Sequence, residues 1–299
     1  MRVLVTGSTG LIGSALIPLL RTGGHEAVRL VRTPPRTDSE EILWNPGEGK
    51  LDASALEGFD GVVHLSGENI GEGRWTVARK QRIWDSRIKS TQLLSASLAD
   101  LRQPPRVLAC ASAIGYYGDR GDELLREDSA PGSGFLADLC RDWEGACQPA
   151  AKRGIRVVNL RNGVVLSRKG GALPRMALPF RLFVGGKVGS GRQFLSWIAL
   201  DDMVAAILHV LSTDTLQGPV NAVAPNPVTN LEFTKTVGHV LRRPTLFPVP
   251  AFVIGSVFGQ MGKELLLASQ RVEPARLLVT GFAFRYPQLE GALRNSLGK

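Results

Sequence analysis

The sequence predicts an α/β protein, a Rossmann-type doubly wound parallel sheet with a smaller interwoven C-terminal region. Three observations carry this. Strand-like, β-branched runs alternate with helix-like segments through the first half of the chain, and such alternation implies a parallel sheet with helices on both faces. The glycine-rich stretch TGSTGLIG joins the first strand-like run to the first helical one. After about residue 168 the alternation gives way to Gly- and Pro-rich sequence, which marks a change of architecture.

In chain order, RVLVTG reads as the first strand and ends at Gly7. LIGSALIPLLRTGG has helical spacing and ends in Gly23-Gly24, a suitable C-cap. Pro18 inside it removes one backbone donor and should bend the helix. HEAVRLVRT is the second strand, stopped by PPR, and GFDGVVHLSG is another buried strand. VARKQRIWDSRIKSTQLLSASLADL is a long amphipathic helix and PRVLACASA a strand. A helix begins within GSGFLADLCRDWEGA (132–146), and GIRVVNLRNGVVL is the next strand. Further on, FLSWIALDDMVAAILHVLST reads as a strand feeding a helix, and GPVNAVAPNPVTNLEFTKTVGHVLRRP as strand, turn and helix. Helical runs follow from Leu246.

Composition narrows the function classes. The 299 residues are 43% hydrophobic and 21% charged, ordinary for a globular protein. No run approaches the roughly 18 apolar residues of a membrane span, and MRVLVTGSTG lacks the shape of a signal peptide. A cytoplasmic location and no membrane partner are therefore expected. Cys110, Cys140 and Cys147 show no C-x-x-C spacing and the four histidines are scattered, so no metal site is expected and the thiols read as reduced, buried groups. The net charge of +9 is spread along the chain without a basic block. It suits an anionic cofactor or substrate better than nucleic acid.

Gly7, Gly10 and Gly13 stand between the first strand and the first helix. In that context Gly7 allows the tight turn, Gly10 lets backbone approach a pyrophosphate, and Gly13 lets helix and sheet pack closely. Thr9, Leu11 and Ile12 complete the loop, whose helix N-terminus presents free N–H groups and a positive dipole to an anion. Enzymes that use NAD place an acid at the end of the second strand, for the ribose 2′-hydroxyl. Here the tip reads LVRTPPR, with Arg32 19 residues after Gly13 and then Arg36. A guanidinium there suits a 2′-phosphate, so NADP is the expected cofactor. The organisation that follows is an NADP-binding Rossmann domain over 1–168, completed by segments around 194–225. Residues 169–299 form mainly the substrate-covering and C-terminal region.

TGSTGLIG, VVHLSG, SAIGYYG and WIALDDMVAAI, in that order, resemble the extended short-chain dehydrogenase/reductase superfamily, its epimerase–dehydratase group. HLSGENI, RWTVARKQRIWDSRIKSTQLL, GVVLSRKGGALPRM, GSGRQFLSWI and ELLLASQRVEPARLLVTGFAF resemble its atypical epimerase-family branch, of the sugar-nucleotide epimerase type. The resemblance implies cofactor contacts at Leu65, Ser66 and Gly67 in HLSG, at Arg87 on the long helix, and at Val164. It implies a substrate-orienting role for Ser112 and a substrate-side place for Tyr117. It also implies a homodimer as one available assembly, through helices spanning roughly 76–100 and 134–151, and a substrate cover at 184–193 in which Lys187, Arg192 and Gln193 meet an anionic substrate.

Members of this superfamily carry a catalytic Tyr-x-x-x-Lys on the helix that here begins in GSGFLADLCRDWEGA. Aligning Glu144 puts Leu136 and Cys140 in those places, and a shift by one puts Phe135 and Leu139 there. Phe135, Leu136, Leu139, Cys140, Trp143 and Cys147 recur at helical spacing and form an apolar face against the sheet. Asp138, Arg141, Asp142 and Glu144 should mostly face away. Tyr117 is the substitute proton donor to test. The expected function is an NADP-dependent oxidoreductase or epimerase acting on a small, anionic or nucleotide-sugar substrate. The alternative is an NADP-binding sensor or scaffold without catalysis.

Overall fold

The computed structural model describes residues 1–33 and 40–299. Arg36 falls outside the described residues. In chain order the first half contains β1 (Arg2–Thr6), α1 (Leu11–Thr22), β2 (Glu26–Val31), β3 (Glu41–Asn45), β4 (Lys50–Leu51), β5 (Gly61–His64), α2 (Val77–Ala99), β6 (Val107–Ala113), β7 (Leu124–Leu125), α3 (Phe135–Gly145), α4 (Gln148–Lys152) and β8 (Arg156–Asn162). Then come β9 (Val164–Leu166), α5 (Leu173–Arg181), β10 (Phe194–Leu195), β11 (Trp197–Ala199), α6 (Leu200–Ser212), β12 (Gly218–Ala222), β13 (Val228–Thr229) and α7 (Asn230–Leu241). The C-terminal part adds α8 (Ala251–Phe258), α9 (Gln260–Gly262), a π-helical turn at Lys263–Leu267, β14 (Arg271–Val272), α10 (Ala275–Val279) and α11 (Leu289–Leu297).

Eight strands form the central sheet in the order β12-β8-β6-β5-β1-β2-β3-β4. All pairs are parallel except β3 with β4. Strand order reverses at β1, which lies between β2 and β5, and a ligand crevice is expected outside the carboxyl ends at that point. Leu16 and Leu20 of α1 and Met203, Ile207 and Val210 of α6 cover one face, packed on Val3, Val5, Val63 and Val158. Leu94 and Leu98 of α2, with Trp143 and Ala150, cover the other face over Leu4, Val62 and Leu108. Both faces are sealed, which is why the strands read as apolar runs rather than alternating ones.

The expected elements are present, and the structure differs from the expectation in several places. The β3–β4 hairpin carries no clear sequence signal, because Glu41–Asn45 is too short and mixed. The single strand expected over GIRVVNLRNGVVL is two: at Gly163 the chain leaves the main sheet, and β9 pairs with β11 instead. A Cβ on Gly163 would stand 2.7 Å from Ser196 O, so the crossing requires glycine. The helix expected from about residue 134 ends at Gly145, and α4 follows. A smaller lobe packs α5, α7 and α11 around Trp197, Phe233, Val237 and Leu293.

Candidate functional site

The cofactor loop is built by close backbone approach. Gly7 has φ 63°, and a Cβ there would lie 2.7 Å from Leu65 C and O. A Cβ on Gly13 would lie 2.3 Å from Gly7 O and 2.7 Å from Ser8 Cα, so α1 can sit this close only without a side chain. Gly10, with extended backbone, is the N-cap of α1; no side chain caps the helix and its first turn holds no acid. The free N–H groups around Leu11 and Ile12 and the exposed Thr9 and Gly10 present the positive end of the helix dipole. Arg32 is exposed just beyond β2. These features fit the diphosphate and 2′-phosphate of a dinucleotide.

A buried polar chain locks the strand ends beneath this loop. Thr6 Oγ1 accepts from Leu65 N at 3.1 Å and Ser66 N at 3.2 Å, and lies 2.8 Å from His64 Nδ1. Having accepted twice, the hydroxyl donates its hydrogen to Nδ1, which puts the imidazole proton on Nε2, 3.0 Å from Thr91 Oγ1. Trp143 Nε1 donates to the same Thr91 oxygen. Burial holds the His64 pKa down at about 3, so the ring is neutral. HLSG therefore owes its shape to a structural histidine.

Arg87 is nearly buried. Its guanidinium donates to Ile83 O at 3.1 Å and Glu68 O at 2.9 Å, and lies over the Trp143 ring at 5.0 Å. A Cβ on Gly67 would be 3.1 Å from Arg87 Cζ, so the cation is pressed against the loop that carries Leu65, Ser66 and Gly67. Burial lowers its pKa to about 10, which leaves it charged at neutral pH. The Cys140 thiol, raised to about 12 by burial, is close enough to interact with it electrostatically.

Deeper in, Ser112 Oγ donates to Glu144 Oε1 at 2.8 Å. Arg161 grips both oxygens of Glu144, through Nε at 2.8 Å and Nη2 at 2.9 Å. Its Nη1 donates to the Tyr117 hydroxyl at 2.9 Å, and that hydroxyl donates to Asn221 Oδ1 at 2.7 Å. Burial disfavours the Arg161 cation, but the bonds to Glu144 outweigh it and hold the guanidinium above its ordinary value.

One expectation is corrected here. Glu144 does not face away: its side chain is 13% exposed and satisfies a buried arginine. Tyr117 is 0% exposed, its hydroxyl is committed on both sides, and burial pushes its pKa up to about 12. Ser112 is 2% exposed and donates its only hydrogen to Glu144; Ala113, the next residue, is the more open one. Leu136 and Leu139 are buried in an apolar cluster with Trp75 and Ile83, against which Phe135 packs. Cys140 is 1% exposed.

Val164 is half-buried at the start of β9, just beyond β8 of the main sheet. In the 184–193 segment, Gln193 Nε2 donates to Val188 O and Leu266 O, and Lys187 Nζ to Ser190 O. Gln193 thus holds this loop to the C-terminal segment. Glu264, unmarked by the sequence, accepts from Phe135 N and Leu136 N and caps α3 from the C-terminal region. Among the described residues no group of His, Cys, Asp and Glu is arranged to hold a metal ion, and no helix is long and apolar enough to cross a membrane.

A sheet with this strand order, a glycine loop at its switch point and the polar cluster at its carboxyl edge define an extended short-chain dehydrogenase/reductase. Within that class the chain belongs to the NAD dependent epimerase/dehydratase family, whose model matches residues 3–222. A domain of unknown function, DUF1731, matches 249–296. The Epimerase family protein Mb2239 of Mycobacterium bovis is 46% identical over 97% of this chain and 96% of its own. The human Epimerase family protein SDR39U1 is 39% identical over 98% and 99%. A crystal structure of human SDR39U1 (isoform2) with NADPH matches with a TM-score of 0.91 at 38% identity, covering 100% of both chains. A nucleoside-diphosphate sugar epimerase from Corynebacterium glutamicum matches at a TM-score of 0.83 and 39% identity, over 100% of this chain and 58% of its own.

Proposed function

We propose that this protein binds NADP(H) and works as an oxidoreductase or epimerase on a small anionic or nucleotide-sugar substrate, without a Tyr–Lys pair. The observation that carries the reading is the Gly7–Gly13 cradle, with an uncapped α1 N-terminus and Arg32 in place of an acid beyond β2. The NADPH bound to human SDR39U1 supports the cofactor choice. In this reading Leu11 and Ile12 hold the diphosphate through backbone N–H groups, and Gly10 lets the backbone approach it. Arg32 holds the 2′-phosphate, and Arg87 holds anionic or ribose oxygens beside Gly67. NADP(H), when bound, supplies or accepts a hydride.

A second reading, an NADP(H)-binding sensor or scaffold, is favoured by one observation. In either register the positions of the proton-transfer pair lack Tyr and Lys, holding Leu136 and Cys140 or Phe135 and Leu139, and the Ser112 and Tyr117 hydroxyls are both committed. The two readings separate on one experiment. Purified protein is titrated with NADPH by fluorescence, then incubated with a panel of carbonyl compounds and nucleotide-sugars while absorbance and product are followed. Tight NADPH binding with turnover of a panel member supports the enzyme. Binding with no turnover and no substrate-induced fluorescence change supports the sensor. Failure to bind NADPH removes both.

A further inference from the structure

Between Glu144 and Asp201 the sequence has no Asp or Glu, and none falls between Glu232 and Glu264. The fold brings these acid-free stretches together: Phe247 N donates to Gly185 O at 3.2 Å, Val249 N to Lys187 O at 2.8 Å, and Gly189 N to Val249 O at 2.8 Å. At the joint Leu182 is 62% exposed, Phe183 54%, Val184 51%, Leu246 76% and Phe247 54%. Such a cluster of large apolar side chains is unusual on a protein that keeps its surface in water. Exposed Arg181 and Arg242 border it, and Arg243 lies 4.3 Å over the Phe183 ring. A neighbouring hollow of about 610 Å³ is lined by Lys235, Arg242, Arg243 and Arg294 among others. The carboxylate beside it, Glu290, is engaged by Arg294 at 2.7 Å.

Among the described residues the non-glycine positions with left-handed φ are Phe183 at 64° and Arg242 at 56°. Both close a helix, Phe183 after α5 and Arg242 after α7, with Val184 N donating to Pro179 O at 2.9 Å and Arg243 N to Gly238 O at 2.8 Å. Here both present a side chain of the patch.

We propose that this tip, formed by residues 181–184 and 242–247, is a peripheral docking surface for an anionic lipid bilayer. Leu182, Phe183, Val184, Leu246 and Phe247 would enter the headgroup–acyl boundary while the arginines meet the phosphates. This pairing of apolar insertion with cationic attraction is the physics of interfacial binding. Charge complementarity selects this occupant. A second copy across a two-fold axis would set arginine rim against arginine rim. A nucleic acid would leave the apolar tip without a partner. The lack of a long apolar run rules against a spanning helix, and an interfacial surface needs none.

The test is co-sedimentation of the full chain with vesicles of phosphatidylcholine plus phosphatidylglycerol, and of phosphatidylcholine alone. Binding is expected to the mixed vesicles only, and to fall as salt rises. Each surface cation contributes about fivefold, so Arg181→Gln with Arg242→Asn should weaken partitioning on the order of thirtyfold. Leu182→Ser with Leu246→Ser should weaken it at least tenfold. All four positions are exposed, and unchanged melting temperatures and NADPH titrations serve as the folding control. No binding to the mixed vesicles, equal binding to both vesicles, or wild-type binding by both folded double variants overturns the proposal. So does a dimer in sedimentation velocity that Leu182→Ser with Leu246→Ser dissolves, or displacement of bound protein from vesicles by a DNA duplex.

Discussion

Ser112 donates its hydroxyl hydrogen to Glu144 at 2.8 Å, and Arg161 holds the same carboxylate with two further bonds. The Arg161 side chain is 3% exposed and that of Glu144 13%. Removing one partner of a buried pair strands the other charge, at a cost of about 3–5 kcal/mol. Glu144→Ala is therefore expected to lower unfolding stability by that amount in urea denaturation. Glu144→Gln, which can still accept from Arg161, should lose less. Equal stability of Glu144→Ala and wild type would show that the pair does not hold the site together.

Tyr117 gives the contrasting case. Tyr117→Phe keeps the ring and leaves Asn221 Oδ1 and an Arg161 donor without a partner. A loss of about 1–3 kcal/mol is expected, with NADPH affinity and any NADPH-linked turnover unchanged in the folded fraction. A fall in turnover without a fall in stability would return Tyr117 to the proton-donor role.

Arg32 is exposed, and its removal should not disturb the fold. If it meets a 2′-phosphate, Arg32→Ala loses a charge-assisted bond of about 1.5–3 kcal/mol, roughly ten- to a hundredfold in NADPH affinity. NADH binding should barely change, because NADH lacks the group. Fluorescence titration with both nucleotides reads the difference, and parallel losses for the two would remove Arg32 from the 2′ site.

His64 sets a pH dependence with a definite sign. Its pKa is about 3 in the fold and 6.5 in the ordinary state. The unfolded chain therefore takes up the proton first as pH falls. Its contribution is fully present above pH 6.5 and drains away towards pH 3, by at most about 5 kcal/mol. Between pH 6.5 and 5, where few carboxylates titrate, stability should fall for wild type and stay nearly level for His64→Gln. Equal slopes in the two proteins would mean that His64 does not stay neutral in the fold.

The alternation of strands and helices, the glycine cradle and the apolar face of α3 were all legible in the sequence. Each rests on spacing within a dozen residues, where period, turn chemistry and the lack of a Cβ act locally. The same spacing misdirected Glu144, because polar residues on a helix are usually solvated and only a distant arginine draws this one inward. Local sequence could not show that Tyr117 is saturated by Asn221, 104 residues away. Nor could it show that Arg87 is folded over Gly67, or that Glu264 caps α3 across 128 residues.

By itself, then, the sequence determined what the chain can form: a parallel sheet, a loop that admits a dinucleotide and a helix lacking its proton-transfer pair. Only the tertiary structure decided which hydroxyls are free. Buried donors and acceptors must find partners, and in a doubly wound sheet those partners come from strands and helices far apart in the chain. The same long-range pairing joins residues 185–189 to 247–249 and assembles an exposed apolar tip that neither segment shows alone.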